Sequence, residues 1–172
     1  LGLCRRLREV TPEAGEGLEA RLQISGLVHR IGRWPEAQSE VEEALGDAAA
    51  LGDARLVARC RLLYGYQLQF VSRLDKAAEQ LRPALEHFAK HGPLEEQLDA
   101  LGALSLVQQG RGDFIEARHS LERALEDARD LPDGALERKL LGRLGLVCYE
   151  LGRFDEARRS LERAREACRR DG

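Results

Sequence analysis

Small and apolar residues recur along this chain at spacings of three and four, the pattern of a helix that buries one face. The pattern is clearest near the end of the chain, where Ala157, Leu161 and Ala164 follow one another at these spacings. Three earlier segments carry the same pattern, and their leading alanines stand at positions 37, 77 and 117. The interval is constant at about 40 residues, and a fixed period in this range is typical of proteins built from stacked repeats.

Each copy of the pattern begins at a turn signal, a small residue followed two positions later by an aromatic residue or Leu. The small residues at these turns are Gly32, Ser72, Gly112 and Gly152. Since Gly readily takes the left-handed backbone that ends a helix, the turns predict a helix on either side. The helix before each turn carries a small residue near its middle, where two helices can approach closely. These central residues are Ser25, Gly65, Ser105 and Gly145.

The sequence therefore predicts an all-α fold, a right-handed α-solenoid of antiparallel helix pairs, in a single domain over residues 1–172. A half repeat is expected at 1–10, because Leu1 and Cys4 stand one full period before Val41 and Ala44. The four full repeats are expected at 13–52, 53–92, 93–132 and 133–172. Their helices are predicted at about 12–31, 35–51, 54–71, 74–90, 94–109, 114–130, 135–151 and 155–170.

Seven residues of the last repeat form a recognisable set, which consists of Leu144, Gly145, Gly152, Phe154, Ala157, Leu161 and Ala164. In this set the unit resembles the tetratricopeptide repeat, which has Leu-Gly in its first helix, a Gly-x-aromatic turn and spaced alanines in its second. Two features depart from the family: the period of about 40 residues exceeds the usual ~34, and the closing Pro is absent. Long-helix repeats of this kind are similar to those of large bacterial transcription regulators and signal-transduction proteins.

The resemblance implies a scaffold for protein–protein or peptide recognition without catalysis. Two alternatives stay open: the repeat or sensor region of a bacterial transcription regulator, and a module that assembles with copies of itself. In the family, variable positions of the first helices line the concave surface, so these positions are the candidates for binding. They are Leu62, Tyr66, Gln69, Phe70, His29, Arg30, Leu106, Gln109 and Tyr149.

Three of these candidates lie four residues apart on one predicted helix. Leu62, Tyr66 and Phe70 therefore form a single apolar stripe along it. Tyr66 and Phe70 are expected to face the small residues Gly102 and Gly110, which would leave an apolar slot for a side chain of a bound peptide. The alternative is that the longer helices pack together there and close the slot.

Composition argues against several other classes of function. The net charge is -3 with both signs interleaved, so no broad cationic field is present for nucleic acid or anionic lipid. No apolar run approaches the ~18 residues of a membrane span, and no basic-then-apolar leader opens the chain, which favours a cytoplasmic protein. Asn is absent and Arg far outnumbers Lys, as is typical of a high-GC genome or a heat-adapted protein.

Residue types that carry chemistry are present but scattered. The four cysteines form no C-x-x-C pair, and we interpret them as buried free thiols in a reducing compartment. His87 and His91 lie four residues apart on a predicted helix, yet no third ligand accompanies them, so no metal is expected. No Gly-rich phosphate loop or catalytic constellation is evident, and no cofactor is predicted.

The two ends of the chain are expected to differ. The half repeat at 1–10 leaves an apolar face bare, and exposed apolar faces tend to find partners, so self-association through the terminal helices is predicted. The last helix carries Arg165 where the other units carry Leu45, Leu85 and Leu125. A polar residue at this position is expected of a terminal repeat that faces water.

Overall fold

The predicted helix pairs are present in a computed structural model of the chain, in which residues 14–129, 131 and 134–171 are described. The helices of this part of the chain are α1 (Ala14–Arg30), α2 (Trp34–Leu51), α3 (Ala54–Phe70), α4 (Leu74–His91), α5 (Leu94–Arg111), α6 (Phe114–Ala128), α7 (Gly134–Glu150) and α8 (Phe154–Asp171). No strand occurs among the described residues. The expected boundaries agree with these ends to within two residues wherever both are described. The half repeat at 1–10 lies outside the described residues.

The helices group into two compact units, Leu1–Lys90 and His91–Gly172. In the first unit, α1, α2 and α3 enclose an apolar core made of Leu18, Leu22, Val41, Ala44, Ala48, Leu56 and Cys60. The second unit has a core between α5, α6, α7 and α8, and its larger buried side chains include Leu98, Leu121, Leu140, Leu141 and Leu144. The apolar faces of α1, α2 and α3 are therefore buried against one another, and so are those of α5, α6 and α7, as the three- and four-residue spacing predicts.

The turns between paired helices share one backbone geometry. Their left-handed residues are Gly32 (φ 84°), Ser72 (φ 60°), Gly112 (φ 84°) and Gly152 (φ 72°). In the last turn, the amide of Gly152 donates to the Tyr149 carbonyl at 2.9 Å and the amide of Arg153 donates to the Cys148 carbonyl at 2.8 Å. The equivalent bonds in the other three turns measure 2.9–3.1 Å. These bonds satisfy carbonyls at the end of the first helix and fix how the second helix starts.

The small residues mark the closest approach of the paired helices, as predicted. Ala37, Ala77 and Ala117 are fully buried, while Glu116 beside the last of them is exposed. A Cβ built on Gly65 would stand 2.4 Å from Cγ of Leu81, so the two helices touch where Gly leaves room. The small residues that recur in the sequence are therefore found where the paired helices pack most closely.

The cysteines do not all share the predicted environment. Cys60 and Cys148 are buried free thiols, and burial raises the pKa of Cys60 to about 11. Cys168 is exposed, so the expectation that it is buried is wrong. It lies on the side of α8 that meets no other described helix, where Arg165 is exposed as well. Cys4 lies outside the described residues.

Candidate functional site

The first helices of the first unit, α1 and α3, lie side by side and run in parallel. Three contacts define their register. Glu19 forms an ion pair with Arg59, one period later. The Gln67 side-chain amide donates to Ser25 Oγ at 2.9 Å. The ring of His29 packs on the ring of Phe70, with centroids 4.9 Å apart. Residues at separations of 40 to 42 in the sequence therefore meet on these helices, and predicted site residues from two different repeats come together.

An exposed aromatic patch, which we define as His29, Trp34 and Phe70, lies at the end of this helix pair. The rings of Trp34 and Phe70 are 5.4 Å apart and tilted by 56°. Trp34 is 41 % exposed and Phe70 is 57 % exposed, although both are large apolar side chains. Ile31, in the turn between α1 and α2, is 69 % exposed. The patch is held by three elements at once, the end of α1, the start of α2 and the end of α3.

Buried polar groups lie next to the patch. Burial lowers the pKa of His29, and its Nδ1 atom is buried with no hydrogen-bond partner among the described residues. Ser25, one turn before it, donates from Oγ to the Ala37 carbonyl at 2.8 Å. Gln67 is buried, and its Oε1 atom also has no hydrogen-bond partner among the described residues. The hydrogen bond between Gln67 and Ser25 fixes α1 against α3. It therefore helps to hold in position the ends of these helices, which carry His29 and Phe70.

The other predicted residues of the first unit differ in accessibility. Leu62 is buried in the core, so it can only support the predicted stripe from beneath. Tyr66 and Gln69 are half-buried, and Arg30 is exposed beside His29. Of the three residues of the stripe, Phe70 presents the most surface to a partner.

The predicted residues of the second unit form a smaller surface. Leu106 and Gln109 on α5 are half-buried, whereas Tyr149 on α7 is 61 % exposed. The ring of Tyr149 packs against Phe154, with centroids 5.6 Å apart. This pair stands three periods after His29 and Trp34, so the same two repeat positions carry rings in both units.

Gly102 does not border an open space within its own unit. It is buried, and a Cβ built on it would stand 2.3 Å from an Nη atom of Arg143, a residue of α7. The guanidinium therefore fills the room that the missing side chain leaves. That Tyr66 and Phe70 face Gly102 and Gly110 stays a prediction.

Sequence reasoning missed part of the patch. Trp34 was assigned only to the turn, and Ile31 to the end of a helix. Trp34 is the only Trp of the chain, and it stands five positions after the candidate His29, as Phe154 does after Tyr149. An aromatic residue five positions after a candidate site residue is the signal that could have identified Trp34 as part of the patch.

The described part of the chain holds no group of three or more His, Cys, Asp or Glu side chains arranged to bind a metal ion. None of its helices is long and apolar enough to cross a membrane.

Comparison with known sequences gives one family match. Residues 96–170 match the sequence profile of the tetratricopeptide repeat family. No curated protein sequence matches this chain. The matched region spans α5 to α8, where the seven residues of the last repeat are found.

Solved structures extend the likeness to nearly the whole chain. BtubC (BKLC) from P. vanneervenii matches with a TM-score of 0.75 over 95 % of this chain and 68 % of its own, at 21 % identity. A Rap protein complexed with competence and sporulation factor matches with a TM-score of 0.84, at 18 % identity, over 92 % of this chain and 44 % of its own. A kinesin light chain-like protein of Podosopora anserina with TPR-like repeats matches with a TM-score of 0.67, at 17 % identity, over 98 % of this chain and 83 % of its own. The predicted all-α fold of tetratricopeptide type is confirmed, while the chain spans less than half of the Rap protein.

Proposed function

We propose that this chain, whose residues 96–170 match the tetratricopeptide repeat family and whose fold is of that type, is a non-catalytic scaffold that binds a peptide or an extended segment of a partner protein. The Rap protein of similar fold is complexed with competence and sporulation factor, which supports a recognition role for this class of fold. The observation that carries the proposal for this chain is the exposed aromatic patch of His29, Trp34 and Phe70.

The patch has the properties of a binding anchor. Two of its rings are 41 % and 57 % exposed, and the exposed apolar side chain of Ile31 lies in the adjoining turn. Aromatic side chains in such positions tend to dominate the free energy of recognition. The rings also hold one another in place, with centroids 4.9 and 5.4 Å apart, so little side-chain entropy is lost when a partner binds.

Polar groups near the patch fit the binding of a main chain. Gln69 is half-buried, one residue before Phe70, and its side-chain amide can both donate to and accept from a peptide backbone. Tyr66 is half-buried one turn earlier on α3 and extends the surface along the helix. We therefore expect a bound segment with an apolar or aromatic anchor residue seated on Phe70 and Trp34.

Trp34 allows a direct test, because the chain has no other Trp. The protein is used to select from random peptides displayed on phage, and the enriched peptides are synthesised and titrated while Trp34 emission is recorded. Covering the indole should move its emission to shorter wavelength. Phe70→Ala should weaken the binding of these peptides by about 2 kcal/mol, the usual cost of losing an aromatic anchor.

Ile115→Ala is the matched control, since Ile115 is 60 % exposed on α6 in the other unit and should leave the affinity unchanged. Both variants should keep the thermal stability of the parent. The proposal fails if no enriched peptide changes Trp34 emission, or if Phe70→Ala binds the peptides as tightly as the parent does.

A further inference from the structure

An apolar surface of the second unit lies across α7 and α8, and we call it the end face. It is defined by Leu146, Tyr149, Phe154 and Leu161, which are between 46 and 63 % exposed. The rings of Tyr149 and Phe154 pack together with centroids 5.6 Å apart. A Cβ built on Gly145, the residue before Leu146, would stand 2.7 Å from Cγ of Leu161. The two helices therefore join their exposed apolar side chains into one surface, which no described helix of this unit covers.

The first unit shows what packs on such a face. The equivalent residues, three periods earlier, are Gly26, His29, Trp34 and Val41. The two rings of this set pack on Phe70 of α3. A Cβ built on Gly26 would stand 4.0 Å from Leu63 of the same helix. Val41 shares its buried core with Leu56, also of α3. In the first unit the equivalent face is therefore covered by an α-helix.

The helix on that face presents its apolar side chains in a row. Leu56, Leu63 and Phe70 follow one another at intervals of seven residues, so they lie along one side of α3. Phe154 and Leu161 of the end face are separated by the same interval. A helix with an apolar row of this spacing therefore fits the end face as α3 fits its counterpart in the first unit.

Basic side chains border the end face on α8. Arg158 and Arg165 each stand four residues after an α8 residue of the end face, so they lie beside it on the same side of the helix. Both are exposed, and neither forms an ion pair with another described residue. This edge of the end face therefore offers two guanidinium groups to a partner.

The carboxylates near the end face lie elsewhere. Asp155 and Glu162 each follow an α8 residue of the end face by one position, which places them about 100° round the helix and further from the surface. Glu150 follows Leu146 by four positions on α7, on the side of that residue away from Gly145, which touches α8. The edge of the end face on α8 is therefore basic, and an acidic partner surface complements it.

Arg165 distinguishes this face from those that another repeat covers. Its counterpart on α6 is Leu125, which is 6 % exposed in the core that α6 shares with α7. A following repeat of the same kind would enclose the Arg165 guanidinium in apolar surroundings, which is costly unless a carboxylate accompanies it. A helix with carboxylates along this edge would form charge-assisted hydrogen bonds with the guanidinium instead.

We infer that the end face binds an amphipathic α-helix of a partner protein, which has an apolar row on the face and carboxylates along the edge that meets α8. The apolar row covers the four exposed side chains of the end face, and the carboxylates pair with Arg158 and Arg165. The end face and the aromatic patch lie in different units and share no residue. Each surface can therefore be tested without the other.

Two synthetic peptides with the 17-residue length of α3 test the charge preference. Both have Leu at the positions that α3 fills with Leu56, Cys60, Leu63, Gln67 and Phe70. One peptide has Glu along one edge of this row, the other has Lys at the same positions, and the remaining positions are Ala and Gln. In titrations followed by fluorescence anisotropy at low salt, the Glu peptide should bind about fivefold more tightly than the Lys peptide, the combined effect of two exposed ion pairs. The preference should shrink as added salt screens the charges.

Charge reversal on α8 gives the decisive result. A variant with both Arg158→Glu and Arg165→Glu should prefer the Lys peptide to the Glu peptide. The matched control combines Arg123→Glu with Arg159→Glu, which change the net charge by the same amount at exposed positions outside the end face. This control should keep the preference of the parent for the Glu peptide.

Two further variants locate the binding. Tyr149→Ala removes an exposed ring of the end face and should weaken both peptides about tenfold. Phe70→Ala, in the aromatic patch, should leave both affinities unchanged, so a failure of the proposed peptide site can be told from a failure of the end face.

Four results of the titrations would overturn the inference: neither peptide binds, the Lys peptide binds as tightly as the Glu peptide, charge reversal leaves the preference unchanged, or Phe70→Ala abolishes the binding. Sedimentation of the parent alone tests the other occupant. Dimers that Tyr149→Ala separates would show that a second copy covers the end face, and would overturn the inference as well.

Discussion

The helix pairs α5–α6 and α7–α8 of the second unit have nearly the same sequence pattern but different surroundings. Both have a Gly-x-Phe turn followed by Ala, Leu and Ala at equivalent positions. Leu121 of α6 is fully buried, while its counterpart Leu161 of α8 is 46 % exposed. The aromatic residues of the turns differ in the same way, since Phe114 is half-buried and Phe154 is 63 % exposed.

The difference shows what each level of structure controls. The turn bonds measure 3.0 and 2.9 Å in the first pair and 2.9 and 2.8 Å in the second, so the local sequence sets the backbone of a pair without help from its neighbours. Leu121 shares its core with Leu140 and Leu144 of α7, which pack over α6. No described helix packs over α8 in the same way, so a residue of the same type contributes much less there.

The largest expected effect is a direct test of this contrast. Leu121→Ala should lower the free energy of unfolding by about 3 kcal/mol, because it opens a cavity in an enclosed core. Leu161→Ala should cost only about 1 kcal/mol, because half of that side chain is already in water and the site can close. Urea denaturation of both variants measures the difference. Equal losses would mean that α8 is covered in solution.

The next largest effect concerns two glycines, Gly65 and Gly145, that lie against a leucine of the paired helix. A Cβ on Gly65 would stand 2.4 Å from the fully buried Leu81, so Gly65→Ala should cost about 2 kcal/mol through overpacking. A Cβ on Gly145 would stand 2.7 Å from Leu161, whose exposed side chain can move aside, so Gly145→Ala should cost less.

Gly142→Ala provides the control for both substitutions, since nothing lies within 4 Å of its added Cβ. It should stabilise the protein by about 0.5–1 kcal/mol, because Ala favours a helix over Gly. A gain at Gly65 as well would contradict the close approach of α3 and α4. Urea midpoints of the three variants order the effects.

A smaller effect should be the same in both helix pairs. Gly112 and Gly152 have φ of 84° and 72° with open space around them, so replacing either by Ala strains only the backbone. Each substitution should cost about 1 kcal/mol. Ser72 has φ of 60°, and Ser72→Gly should relieve that strain and stabilise the protein by a similar or smaller amount. Urea denaturation measures all three, and unequal losses at Gly112 and Gly152 would show that the turns depend on their neighbours.

The smallest expected effect concerns the aromatic patch of the first unit, because it contains an imidazole, His29, at the repeat position where the second unit has Tyr149. Burial lowers the pKa of His29 below 6.5, so the unfolded chain takes up the proton more readily. This contribution to stability is complete above pH 6.5 and is lost as the pH falls through the folded pKa. Melts at about pH 7.5 and pH 5.5 should show a smaller loss for His29→Gln than for the parent. Gln is the residue that repeats 2 and 3 carry at this position.

The sequence predicted the helix pairs, their turns and their crossings because each depends on nearby residues. Gly65 was expected where two helices approach closely, and a Cβ built on it would stand 2.4 Å from Cγ of Leu81. Gly152 was expected to be left-handed and has φ of 72°. The candidate site was predicted less completely. His29 and Phe70 were named from different repeats, but their contact depends on the offset between parallel helices, which the period alone does not give. Leu62 and Phe70 share one helix stripe, yet one is buried and the other is 57 % exposed.

The sequence by itself determined the period, the helix ends and the small residues that let paired helices touch. Helix propensity, turn conformation and apolar spacing act within a few residues, and all three favour the same structure in every repeat. Only the tertiary structure decided that Trp34 joins His29 and Phe70 in one patch, that Arg143 fills the space beside Gly102, and that Cys168 is exposed. These outcomes depend on which helix lies next to each residue, because the burial of a side chain is decided by that neighbouring helix and not by the residue type alone.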